Sequence, residues 1–143
     1  KVWQVGDGSL VYTIHGHTAP VYELDFSPDG KRLASASRDF SIGVWQVSDG
    51  SLISSLQGHS DSVFDVTFSP DGSLLASASG DETLRFWRVA DGEMLSILRE
   101  HSDVITSVAF SPDSHLLVSG SSNGDILFWG LSEAIPLETE TGE

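Results

Sequence analysis

The chain has 143 residues, 39% of them hydrophobic and 20% charged, with 14 glycines, which is the make-up of an ordinary folded domain and sets intrinsic disorder aside. Seven basic against 21 acidic residues leave a net charge of -14, which repels phosphate backbones and anionic lipid, so neither nucleic acid nor a membrane is expected as a partner and a basic or amphipathic one is favoured. No run reaches the roughly 20 apolar residues of a membrane-crossing helix, and the absence of cysteine excludes disulfides, thiolate metal sites and cysteine nucleophiles, which fits a reducing, cytoplasmic setting. With Lys1 first and Met94 the only methionine, a piece of a longer chain is expected.

Taken in order, the elements return at a fixed period. Residues 1–5 read as the tail of a third strand and 9–14 as the strand after it. Residues 21–26 alternate so that Val21, Leu24 and Phe26 face a core, and the Ser27-Pro28-Asp29-Gly30 turn follows, with Pro28 presetting φ and Gly30 free to take φ > 0. A strand of small residues at 33–37, a third strand at 42–47, the Asp49-Gly50 hairpin signal and a fourth strand at 52–56 complete one unit. The pattern then repeats every 42 residues: Trp3, Trp45, Trp87 and Trp129, then His17, His59 and His101, then the turns that open at Ser27, Ser69 and Ser111. Strand periodicity with four antiparallel strands per period predicts an all-β chain of about three propeller blades, too few for a ring, which needs about four. The repeat units are set at 1–47, 48–89 and 90–131, with an acidic tail at 132–143.

Gly16-His17 and Gly58-His59, the Ser-Pro-Asp-Gly turns, the runs Leu33-Ala34-Ser35-Ala36-Ser37 and Leu75-Ala76-Ser77-Ala78-Ser79, and the segments from Asp39 to Trp45 and Asp81 to Trp87 together resemble the WD-repeat β-propeller family. The match runs to about Leu131. The aspartate that follows tryptophan in that family is replaced by Gln4, Gln46, Arg88 and Gly130, Glu100 replaces the glycine before His101, Ser114 a turn glycine, and Asn123 the acid seen as Asp39 and Asp81.

A serine, a histidine and an aspartate in each period invite comparison with a hydrolase triad. The set recurs at the structural period, however, whereas an active site is needed once, and no G-x-S-x-G elbow is present. The resemblance implies instead buried hydrogen-bonded tetrads, taken as His17, Ser37, Asp39 and Trp45; His59, Ser79, Asp81 and Trp87; and His101, Ser121, Asn123 and Trp129. Ser35 and Ser77 compete for the serine role. No cofactor and no metal site is expected, since the histidines fall in separate blades and the Asp-rich turns lack the calcium-loop pattern.

The remaining function is binding. The resemblance puts the recognition surface on the face of the inter-blade loops, and by motif position it comprises Pro20, Tyr22, Arg38, Ser62, Phe64, Gly80, Val104, Thr106 and Ser122, the positions at which the copies differ. Tyr22, Phe64 and Arg38 are the anchor candidates, because aromatics and arginine dominate interfaces; the competing reading packs Tyr22 and Phe64 between blades. Phe26, Phe68 and Phe110 recur identically and are expected in the inter-blade core. The expected function is a non-enzymatic scaffold for a protein or peptide ligand, with a regulatory sensor domain and a Ser/His/Asp hydrolase as alternatives. The ring is completed either by further repeats of the natural chain or by self-association of two copies. In the family the gap in the last blade is commonly filled by the N-terminal segment, here 9–14, since Pro136 spoils a fourth strand at the other end.

Overall fold

The computed structural model describes residues 1–130, which form thirteen strands and no helix. A short hairpin comes first, β1 (Val2–Trp3) and β2 (Leu10–Tyr12). A four-stranded antiparallel sheet follows, made of β3 (Val21–Phe26), β4 (Arg32–Ser37), β5 (Ile42–Gln46) and β6 (Leu52–Leu56). A second has the same order: β7 (Val63–Phe68), β8 (Leu74–Ser79), β9 (Leu84–Arg88) and β10 (Met94–Leu98). The third contains β11 (Ile105–Phe110), β12 (Leu116–Ser121) and β13 (Ile126–Gly130) among the described residues. The all-β class and the incomplete propeller of about three blades are therefore as the sequence reading has them. The acidic tail lies outside the described residues.

The turns explain part of the charge. Ser27 donates its hydroxyl to Asp29 at 2.6 Å and Asp29 accepts the Lys31 N–H at 3.0 Å, which closes the β3–β4 turn. Ser69 with Asp71 and Ser111 with Asp113 repeat this at 2.5 and 2.6 Å. Asp7, Asp49 and Asp91 brace the other hairpin turn by accepting the N–H two residues on, at 2.9, 2.9 and 3.1 Å. All six carboxyls are held below the ordinary aspartate range, led by a serine hydroxyl two residues away or, at Asp91, by the Glu93 N–H. Gly30 and Gly72 take φ of 68° and 73°; Ser114 takes 60° at the same position, a left-handed conformation that glycine adopts without steric cost.

The three sheets stack with β3, β7 and β11 side by side. Ala34, Ala36, Ile42 and Val44 meet Val63, Val66 and Phe68 in one buried layer; Ala76, Ala78, Leu84 and Phe86 meet Ile105 and Val108 in the next. The alanines of β4 and β8 leave room for the neighbouring sheet to approach, and Phe110 sets its ring edge on Phe86, centroids 6.3 Å apart at 66°. One expectation fails here. Phe68 is 5% exposed and Phe110 half-buried, but Phe26 is 55% exposed, because each of the other two packs on the preceding four-stranded sheet whereas among the described residues only the β1–β2 hairpin precedes the first.

Candidate functional site

In the first sheet His17 Nδ1 lies 3.0 Å from Asp39 Oδ2 and its Nε2 2.7 Å from Ser35 Oγ, while the Trp45 indole N–H donates to the same hydroxyl at 2.8 Å. A carboxylate only accepts, so the ring donates from Nδ1 to Asp39 and turns Nε2 to the Ser35 hydroxyl. The second sheet repeats the chain: His59 to Asp81 at 2.9 Å, His59 to Ser77 at 2.8 Å and Trp87 to Ser77 at 2.9 Å. Each set joins the loop before a sheet to its second and third strands.

Burial pushes both carboxyls up, yet hydrogen bonds outweigh it and hold them far below the usual range. At Asp39 they come from the Ser41 hydroxyl, the Thr18 N–H and His17; at Asp81 from His59, the Thr83 hydroxyl and the Ser60 N–H. Burial lowers His59 by more than the Asp81 contact raises it. The buried Arg85 adds a contact to Asp81 Oδ2 at 3.4 Å.

The third set is incomplete. His101 Nε2 meets Ser119 at 2.7 Å and Trp129 donates to that serine at 2.9 Å, but His101 Nδ1 is buried with no hydrogen-bond partner. Asn123, expected to hold it, turns away and donates to Asp125 Oδ2 at 2.8 Å. Burial lowers the His101 pKa, and the charge of Asp125 opposes this more weakly.

The serine assignment needs correction in every repeat: Ser35, Ser77 and Ser119 fill the role, not Ser37, Ser79 and Ser121. The register explains it. Trp45 pairs with Leu33, so Ser35 is its diagonal neighbour, while Ser37 lies one pair further out at the strand end. There Ser37 donates to the Pro20 carbonyl and accepts the Asp39 N–H, both at 3.1 Å; Ser79 does the same with Asp61 and Asp81; Ser121 Oγ is buried without a partner. Ser35, Ser77 and Ser119 are at most 2% exposed, and each oxygen is held between an indole and an imidazole, which closes it to a substrate. Among the described residues no group of three histidines or carboxylates is placed to hold a metal ion.

Eight of the nine residues singled out for binding come together in pairs, Thr106 being the exception. Backbone bonds of 2.9 Å join Arg38 to Pro20, Gly80 to Ser62 and Ser122 to Val104. Tyr22 stacks on Phe64, centroids 5.2 Å apart and planes at 27°, so the two rings bridge the first and second sheets. Tyr22 is nonetheless 44% exposed and Phe64 partly so; Arg38, Pro20, Thr106 and Ser122 are exposed, Gly80 and Val104 half-buried and Ser62 buried.

Two features escape the sequence reading. Phe40, beside Arg38, is exposed and left-handed at φ 71°, as is Glu82 at 64°; Gly124, at the matching position of the third copy, marks the turn as one that demands φ > 0. Holding a phenylalanine there costs about 1–2 kcal/mol. The second is a pair of carboxylate clips between sheets: Asp25 Oδ2 accepts the Phe68 N–H at 2.7 Å, and Asp65 Oδ2 accepts the Val108 N–H at 2.8 Å. Burial raises the Asp65 pKa, against the lowering effect of the Val108 and Val66 N–H groups. Their signal was an acid on an inner strand, Glu23 and Asp25 on β3 and Asp65 on β7, where β11 has none.

The profile of the family described as WD domain, G-beta repeat matches residues 8–46, 50–88 and 92–130. The chain belongs to the WD40 family. The three matched WD40 segments keep the 42-residue phase of the tryptophans and each contains one histidine–serine–tryptophan chain. WD40 repeats are generally protein-interaction scaffolds and typically non-enzymatic. No curated protein matches the chain at a significant level.

Proposed function

We propose that this WD40 chain is a non-enzymatic scaffold that binds a protein or peptide on the face built from Pro20, Tyr22, Arg38, Ser62, Phe64, Gly80, Val104, Thr106 and Ser122. The observation that carries the reading is the Tyr22–Phe64 stack, which bridges two sheets at positions where the copies differ and leaves Tyr22 44% exposed. A rigid aromatic pair buries large area at little entropic cost, and arginine supplies directed hydrogen bonds. Net charge favours a basic or amphipathic ligand. The sequestered serines argue against a hydrolase, and the cysteine-free sequence supports a reducing, cytoplasmic setting. A scaffold needs a rigid platform, which a closed ring supplies through a second copy or through further repeats. The test is capture from lysate with the native chain, with Tyr22→Ala/Phe64→Ala/Arg38→Ala, and with a Lys31→Ala/Arg32→Ala control. Partners lost only with the first variant support the reading; an identical set with all three chains overturns it.

A further inference from the structure

The second sheet holds a cation where the first has Gly43 and the third Leu127: Arg85, on β9 and only 7% exposed. Its three nitrogens are poorly served. Nε donates to the Thr83 hydroxyl at 3.3 Å and Nη2 to Asp81 Oδ2 at 3.4 Å, both long beside the roughly 2.7–2.9 Å of a close charge-assisted bond. Nη1 has a weaker partner still. It donates to the thioether sulfur of Met94 at 3.4 Å, and a thioether is a poor acceptor. On another side a Cβ at Gly58 would stand 2.6 Å from Nη1, so glycine there leaves the nitrogen its place. A buried guanidinium is thus one oxygen short of the partners it usually has.

Met94 departs from the repeat as well, since Leu52 holds its position in the first copy, and it is the chain's single methionine. It opens β10, the outer strand of the second sheet, opposite Trp87 and beside the irregularity between Met94 and Ser96. The residue is 40% exposed, which gives small oxidants access. What distinguishes it from Leu52 is a polarizable sulfur that can take up an oxygen atom, and that sulfur lies against the donor that lacks one.

We propose that Met94 is a reversible oxidation site whose sulfoxide is captured by Arg85. The oxidant is hydrogen peroxide. A sulfur lone pair attacks one peroxide oxygen, the O–O bond breaks as the S–O bond forms, and the proton on the transferred oxygen leaves with the departing hydroxide as water. Sulfur is oxidised and peroxide reduced. Return takes two thiols, which are oxidised to a disulfide while the oxygen departs as water, the chemistry of thiol-dependent sulfoxide reductases. The sulfoxide oxygen is a strong acceptor within reach of Nη1, so a weak contact becomes a charge-assisted one. With Nη1 fixed, the guanidinium is held where Nη2 meets Asp81, the partner of His59, and oxidation tightens the second sheet. Methionine oxidation ordinarily loosens a fold by setting a polar group among apolar ones; here the polar group meets a buried cation.

The experiment treats the folded chain with hydrogen peroxide and compares melting temperatures. Peptide mass spectrometry should place one added oxygen on Met94 and none on the tryptophans, and the oxidised chain should melt about 3–8 °C above the untreated one. Sulfoxide reductases for both epimers, with dithiothreitol, should restore the starting value. Met94→Gln, whose amide oxygen stands in for the sulfoxide, should melt higher than the native chain without peroxide, and Met94→Leu should not respond to peroxide. In Arg85→Leu, which takes the residue of the third copy, oxidation should leave the melting temperature unchanged or lower it. A native chain that melts no higher once oxidised overturns the proposal, as does a Met94 that resists peroxide in the folded chain or an equal rise in Arg85→Leu. Should Arg85→Leu fail to fold, a Met94→Gln chain no more stable than Met94→Leu overturns it in the same way.

Discussion

The orphaned nitrogen of His101 gives the sharpest handle on the tetrads. In the first two sheets the acid comes first and a hydroxyl two residues later, as in Asp39 and Ser41; in the third the order is Asn123 then Asp125, and Nδ1 is left buried without a partner. The double substitution Asn123→Asp/Asp125→Ser restores the order of the first sheet at unchanged net charge. Asn123→Asp alone would set a second carboxylate against Asp125, now 2.8 Å from the Asn123 amide, so both changes are needed. An unmade hydrogen bond at a buried polar atom costs about 1–3 kcal/mol, which is the gain expected. For a domain of this size that raises the melting temperature by about 3–10 °C. It also slows amide exchange across residues 117–128 by about 5- to 150-fold. The restored acid, held below its unfolded pKa, contributes this gain above about pH 4 and loses it as pH falls through its folded value. Thermal melts and hydrogen exchange, with Asp125→Ser as control, check the expectation. Unchanged exchange over β12 and β13 would refute the reasoning that the missing acceptor weakens this sheet.

Other outcomes follow from the same contacts. Phe68→Ala, at a buried position between sheets, should cost about 3–5 kcal/mol in chemical denaturation, while Phe26→Ala, at an exposed one, should cost far less. Asp65→Ala leaves the Val108 N–H without its carboxylate and should cost about 1–3 kcal/mol, whereas Asp65→Asn keeps an acceptor oxygen and should lose less; equal losses would contradict the clip. His59 and His101 have folded pKa values lowered by burial, so their contribution is complete above the unfolded value near 6.5 and is lost as pH falls below it. Asp39 and Asp81, also lowered, contribute above about pH 4 and are lost below it. Stability measured against pH should therefore decline from about 6.5 and steepen below 4; a profile flat from 7 down to 4 would contradict the histidine part.

The repeat was legible because it is a phase: four tryptophans, three histidines and three turns at one spacing fix the strands and their order before any packing is considered. The choice between Ser35 and Ser37 was not, because both point to the same side of β4 and only the pairing of Leu33 with Trp45 places one of them under the indole. Likewise Asn123 shares its sequence position with Asp39 and Asp81, but the amide finds a nearer acceptor in Asp125. Phe26 looked like core because its repeat partners are core; its burial depends on a neighbouring sheet, which is information about assembly and not about the strand itself. The phenylalanine at the left-handed position that Glu82 and Gly124 share, and the clips at Asp25 and Asp65, differ between copies, and a reading built on repetition passes over what differs.

The central claim is that partners bind where the Tyr22–Phe64 stack opens. Hydrogen exchange on the chain, free and saturated with a captured ligand, tests it most directly. Protection should rise at residues 20–22, 38–40 and 62–64, with the Ser-Pro-Asp turns at 27–30 and 69–72 unchanged. Protection confined to those turns, with residues 20–22, 38–40 and 62–64 unaltered, would contradict the account.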